Sequence, residues 1–197
     1  MLRLVEWFWT FQGEGANWGR RAFFVRLPFC NLKCTWCDTE FNKFVTVSEE
    51  QFLLDCRAEK TKFAVLTGGE PTMNKQLPRI IALLKSFEFE IAVETNGCFK
   101  IPDGIDFVTV SPKRDADYRI HPHAQERANE LKYVIDKDFD FSILTRLQEQ
   151  EWTRTKRLTV SPEFNDMKES VSRIENFLKE NPRWRMSLQT HKWLGVR

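Results

Sequence analysis

Three cysteines fall within one short run, Cys30-Asn-Leu-Lys-Cys34-Thr-Trp-Cys37. As thiolates they supply three soft ligands and no fourth. A metal or iron–sulfur corner held by three sulfurs keeps a coordination position open, and an open position is where a metal site does chemistry rather than holding a fold together. A structural zinc site is the alternative, and it needs a fourth ligand close by. Cys56 and Cys98 are isolated, and His121, His123 and His191 lie far downstream. The chain holds five cysteines, an odd number, and nothing in it reads as a signal peptide, so a disulfide framework does not fit.

The 197 residues give room for one domain, 1–197, with a substantial core. A formal net charge of +2 supplies no field for nucleic acid or a membrane surface, which excludes those as expected partners. No apolar run approaches the length that crosses a bilayer. Free thiols without a targeting segment point to a reducing cytoplasm.

The elements that must position the cysteines alternate in type. Strands are expected at 21–29, 63–67, 90–94, 106–111, 131–135, 156–161 and 184–189, where β-branched and aromatic residues gather. Ser48-x-x-Gln51 opens a helix over 48–58. Leu77, Ile80, Ile81, Leu84 and Phe87 follow helical spacing over 75–87, and Met167, Val171, Ile174 and Leu178 mark another face. A further helix is expected over 139–150, while 112–130 shows weak periodicity and reads as irregular. Alternation of this kind implies an α/β fold with a mainly parallel sheet. About six parallel strands with fewer good helices than an eight-fold barrel needs predict a partial, open βα barrel in one domain.

In such folds the working residues sit just past the C-terminal ends of the strands. The unusual runs fall there: Gly68-Gly69-Glu70-Pro71, Thr95-Asn96-Gly97, Pro112-Lys113 and Ser161-Pro162-Glu163. Each alone is an ordinary turn. Together, beside a three-cysteine loop, they describe one rim. Two glycines let backbone approach a ligand closely, and a carboxylate beside them can receive an ammonium.

The Cys-x3-Cys-x2-Cys spacing resembles that of the radical S-adenosylmethionine superfamily. Gln12-Gly13-Glu14-Gly15, Cys37-Asp38-Thr39, Gly68-Gly69-Glu70-Pro71, Glu94-Thr95-Asn96-Gly97, Val110-Ser111-Pro112-Lys113 and Gln189-Thr190-His191-Lys192 together resemble the 7-carboxy-7-deazaguanine synthases, over nearly the whole chain. The resemblance implies a lyase of queuosine and deazapurine biosynthesis. It would act on 6-carboxy-5,6,7,8-tetrahydropterin by radical ring contraction with loss of ammonia. It implies a [4Fe–4S] cluster on Cys30, Cys34 and Cys37, with S-adenosylmethionine on its free iron. The S-adenosylmethionine contacts would come from Trp36, Cys37, Asp38, Gly68, Gly69, Glu70, Ser111, Pro112, Lys113, Ser161, Pro162, Glu163 and Phe164. Substrate contacts would come from Phe11, Gln12, Gly13, Glu14, Arg26, Thr67, Glu94, His191 and the terminal carboxylate of Arg197. Mg²⁺ would sit at Thr39. An electron donor such as flavodoxin or ferredoxin completes what the resemblance implies, and an open sheet edge with many aromatics makes a homodimer the expected assembly. Two other readings share part of the pattern. A glycyl-radical-enzyme activase would share the cysteine loop and Gly-Gly-Glu-Pro, and a non-enzymatic iron–sulfur or zinc module would share the cysteines.

Overall fold

Residues 63–68, Phe-Ala-Val-Leu-Thr-Gly, carry apolar side chains toward both faces, the pattern of a strand covered on both sides. The computed structural model describes residues 1–37 and 39–196. The chain runs β1 (Leu2–Leu4), β2 (Glu6–Phe11), β3 (Arg21–Leu27), β4 (Val45–Val47), α1 (Glu49–Cys56), β5 (Phe63–Gly68), α2 (Leu77–Lys85), β6 (Glu90–Thr95) and β7 (Phe107–Val110). It continues through α3 (Pro122–Arg127), β8 (Glu130–Ile135), α4 (Ser142–Gln148), β9 (Arg157–Pro162), α5 (Met167–Glu180), β10 (Trp184–Met186) and α6 (Thr190–Leu194).

Eight strands form one sheet in the order β2-β3-β5-β6-β7-β8-β9-β10, parallel throughout except for the antiparallel β2–β3 pair. β1 and β4 form a separate antiparallel ribbon. The open, mainly parallel architecture is the expected one, and it holds more strands than expected. β1, β2 and β4 join the strands read from sequence. The segment 112–130 is not wholly irregular, since α3 lies within it. His121 caps α3, its Nδ1 accepting from His123 N at 3.1 Å, and His123 Nδ1 accepts from Ile101 N at 3.2 Å. Both imidazoles therefore serve the backbone.

The two faces of the sheet differ in chemistry. Side chains alternate across a strand, and one set packs under the helices: Phe23, Val25, Ala64, Leu66, Ile91, Val93, Leu131, Tyr133, Leu158 and Val160, with Leu77, Ile80 and Leu84 of α2 and Ile174 of α5. The other set faces the concave side. Its lower half is apolar, with Ala22, Phe24, Phe63, Val65 and Ala92. One step further along the same strands it turns polar: Arg26 pairs in register with Thr67, Glu94 with Thr109, Lys132 with Thr159, and Val134 with Ser161. The register thus gathers polar groups from six parallel strands near their C-terminal ends.

The edge strands β2 and β10 are joined by their following loops. Gly13 O accepts from Thr190 N at 3.0 Å and from Thr190 Oγ1 at 2.8 Å. Ser187 Oγ accepts from Gly15 N at 2.7 Å, and Glu130 Oε2 accepts from Ala16 N at 3.1 Å. These bonds draw the open side of the barrel together at the rim that carries the motifs.

Candidate functional site

A cavity of about 320 Å³ opens at that rim. The cysteine loop leaves β3 at Pro28 and forms one wall. Phe29 adopts the left-handed region (φ 72°), and its N–H donates to Phe41 O at 2.9 Å, folding the loop back on itself. Cys30, Cys34 and Cys37 carry free thiols and all line the cavity. Burial pushes the Cys30 thiol up and the Cys34 thiol up to about 11. A bound metal, which requires thiolates, reverses that preference. Among the described residues no three His, Cys, Asp or Glu side chains converge as a ready metal cage, so the thiols share a wall. Cys56 is buried under α1 with its thiol on Leu53 O, and Cys98 stands beside Asn31; neither lines the cavity. Three cavity-facing thiols without a fourth suit a cluster held at three irons.

Gly68 and Gly69 are required by the protein's own backbone. A Cβ on Gly68, at φ 125°, would lie 2.2 Å from Leu27 O, and one on Gly69 would lie 1.8 Å from Phe29 O. Gly69 N donates to Leu27 O and Glu70 N to Phe29 O, extending the β3–β5 ladder into the cysteine loop. Close approach to the cysteine loop thus requires these glycines, and both also line the cavity, where backbone can approach a ligand. The Glu70 carboxylate is fully buried and accepts from Thr72 N, Thr72 Oγ1, Thr95 Oγ1 and Asn96 N. It ties the end of β5 to the end of β6, and burial outweighs these donors in pushing its carboxyl up. Asn96 Nδ2 donates in turn to Asn31 Oδ1 at 2.8 Å, so the strand ends brace the cysteine loop from below.

Charged groups line the same cavity. Arg26 donates from Nε to Glu6 Oε1 at 2.9 Å and from Nη1 to Thr39 Oγ1 at 3.3 Å. Glu94 accepts from Gln12 Nε2 at 2.9 Å and from Thr67 Oγ1 at 3.1 Å. Glu14, whose N–H donates to Gln12 Oε1, pairs with Lys132 Nζ at 2.9 Å. Lys132 and His191 hold the Glu14 carboxyl below its usual range against the opposing effect of burial. Lys113 donates to Ser111 Oγ at 2.6 Å and lies over the Trp36 ring, and burial lowers its ammonium to about 8. His191 packs directly on Gly13. Ser161, Pro162, Glu163 and Phe164 complete the wall beyond β9, and Phe11 lies at the mouth.

Nearly all the residues expected from the sequence thus meet at one cavity. Pro112 is buried and does not line it. Asp38 and Arg197 lie outside the described residues. Sequence reading missed Lys132, which is 6 % exposed at the cavity floor. Its signal was available: a lysine interrupting the apolar run Leu131–Ile135, in a strand where a covered sheet calls for continuous apolar residues.

A model of the radical SAM superfamily matches residues 24–112, the span from β3 through the cysteine loop to the end of β7. The chain is 35 % identical over 201 residues to the 7-carboxy-7-deazaguanine synthase of Haemophilus influenzae, covering 99 % of this chain and 94 % of that protein. The chain belongs to the 7-carboxy-7-deazaguanine synthase family. The synthase of Aquifex aeolicus is 34 % identical over 209 residues, covering 100 % of this chain and 95 % of that one. The crystal structure of QueE from Escherichia coli matches with a TM-score of 0.75 at 28 % identity, covering 94 % of this chain and 92 % of that chain. A family member of this kind is a radical SAM lyase that uses a [4Fe–4S] cluster and S-adenosylmethionine. Among the described residues no helix is long and apolar enough to cross a membrane.

Proposed function

We propose that the chain converts 6-carboxy-5,6,7,8-tetrahydropterin to 7-carboxy-7-deazaguanine with loss of ammonia. The observation that carries this reading is the mixed lining of one cavity. Three thiols line it, and so do Arg26, Glu94, Glu14 and Lys132. A reduced carboxypterin has matching parts: a carboxylate at one end and a guanidine-like N–H edge at the other.

Cys30, Cys34 and Cys37 would hold the cluster, and when bound the cluster and S-adenosylmethionine supply one-electron hydrogen abstraction. The chain's own residues bind and orient. Arg26 offers a planar fork to the substrate carboxylate. Thr39, whose hydroxyl accepts from Arg26, would offer its oxygen to Mg²⁺, which would supply positive charge for the substrate carboxylate. Glu14 and Glu94 accept from the N–H edge, and Gln12 and Thr67 fix the Glu94 carboxylate toward it. His191, held against Gly13, closes the near side. Lys113, Ser111, Trp36 and the 161–164 wall receive S-adenosylmethionine, whose α-carboxylate suits an ammonium. An acidic one-electron donor of the flavodoxin or ferredoxin kind, a homodimeric assembly and a cytoplasmic setting belong to the same reading.

The test is turnover without oxygen in the presence of S-adenosylmethionine, reductant, Mg²⁺ and carboxytetrahydropterin. Appearance of the deazaguanine chromophore is expected. Deoxyadenosine formed without a deazaguanine product would remove the substrate assignment.

A further inference from the structure

Lys132 is the one cation among the inward residues of β8, where it stands between Glu130 and Val134. Its Nζ lies 2.9 Å from Glu14 Oε2 and 3.9 Å from Glu94 Oε1. Glu14 belongs to the loop after β2, and Glu94 to β6, so one ammonium joins carboxylates from two separate parts of the barrel. Four charged groups bear on Lys132: Glu14, Glu94 and Glu130 attract it, and Lys113 repels it. Lys113 and His191 add attraction to Glu14. The Glu130 carboxylate is engaged elsewhere, accepting from Ala16 N, Thr109 Oγ1 and Thr159 Oγ1. Burial opposes charge on Glu14 and on Lys132 more than any other single influence, and the combined attraction of the neighbouring charges prevails on both.

We infer that Lys132 is a positioning residue that keeps Glu14 ionised and holds Glu14 and Glu94 together at the cavity, so that they meet a ligand's N–H edge as acceptors. A protonated carboxylic acid would present an O–H where the ligand presents an N–H. Two carboxylates sharing a small buried site also oppose each other's ionisation, and the ammonium between them removes that conflict. The ligand's identity rests on the carboxypterin reading; the ionisation of Glu14 does not.

The ligand-side test measures binding of 6-carboxypterin to cluster-loaded, unreduced protein for wild type, Lys132→Gln and Lys132→Arg. Lys132→Gln lets the Glu14 carboxyl rise, so the acid form accumulates as pH falls and binding is lost at the low end. Relative to wild type at the same pH, Lys132→Gln is expected to bind about tenfold more weakly near pH 6 and within about threefold near pH 8.5, each pH unit being a tenfold change in proton occupancy. Lys132→Arg keeps the charge and stays within about threefold throughout. A ratio that does not change with pH, with or without a lower melting temperature, marks a merely structural lysine and overturns the inference.

A ligand-free measurement separates this from failure of the substrate reading. Carbon NMR of glutamate-labelled wild-type protein, with Glu14→Gln used to assign the signal, is expected to show the Glu14 carboxyl titrating below the ordinary glutamate range. Titration at or above that range overturns the inference even if Lys132→Gln does not fold. If wild type does not bind 6-carboxypterin, the substrate reading falls and the NMR titration alone decides the role of Lys132.

Discussion

A methyl group on Gly69 would lie 1.8 Å from the carbonyl oxygen of Phe29, the residue immediately before the first cysteine. The pairing of β5 with β3 therefore continues into the cysteine loop, and backbone contacts fix where that loop leaves the sheet. Gly69→Ala must push the two segments apart. We expect it to lower stability by about 2 kcal/mol or more and to cut bound iron severalfold, read by thermal unfolding and iron analysis of reconstituted protein. Full iron loading with unchanged stability would contradict this account.

Glu70 bridges two strand ends through four accepted hydrogen bonds. Glu70→Ala leaves the backbone N–H groups of Thr72 and Asn96 without their carboxylate. The expected cost is about 3 kcal/mol in denaturant unfolding, the scale of a broken buried charged network. A variant within experimental error of wild type would show that Glu70 bears little of the rim.

Arg26 touches Glu6 and Thr39 and presents its guanidinium to the cavity. Arg26→Ala is expected to weaken carboxypterin binding by about tenfold or more while leaving cluster absorbance intact, since the proposed charge-assisted contact to the substrate carboxylate would be lost. Lys at this position should recover only part of the affinity, because a point charge does not reproduce the fork. Unchanged binding by the alanine variant would remove Arg26 from the substrate site.

The five cysteines divide into three at the cavity and two away from it. Alanine at Cys30, Cys34 or Cys37 should each abolish cluster absorbance, whereas Cys56→Ala and Cys98→Ala should retain it. The same logic extends to His121 and His123. Alanine at His123 should cost about 1 kcal/mol through the lost acceptor for Ile101 N, with iron content unaltered. Loss of iron in any of these last three variants would reopen the question of a fourth ligand.

What could be read from the sequence follows from how local each signal is. The cysteine spacing and the strand-end motifs lie within a few residues of one another, and the parallel topology then brings the motifs to one rim. β2 escaped notice because both of its faces carry aromatics. Trp7 and Trp9 pack against the core and donate to Asp55, while Phe8 stacks on Phe24 from the concave side, so no alternation of apolar and polar shows. α3 escaped because a helix of one and a half turns is too short to display a period, and its cap is a histidine rather than the usual serine or aspartate. Lys132 escaped because its meaning lies in partners drawn from β6 and from the loop after β2. Only the register between strands brings an inward lysine level with them.

The hydrogen bonds from Ser187 and Thr190 to Gly15 and Gly13 fasten two stretches that lie far apart along the polypeptide. During synthesis the 187–190 stretch emerges only after all ten strands have been made. The segment bearing Gln12 and Glu14 can meet Glu94, Lys132 and Glu130 before then, and the clasp across the open side of the barrel is the connection the chain makes last.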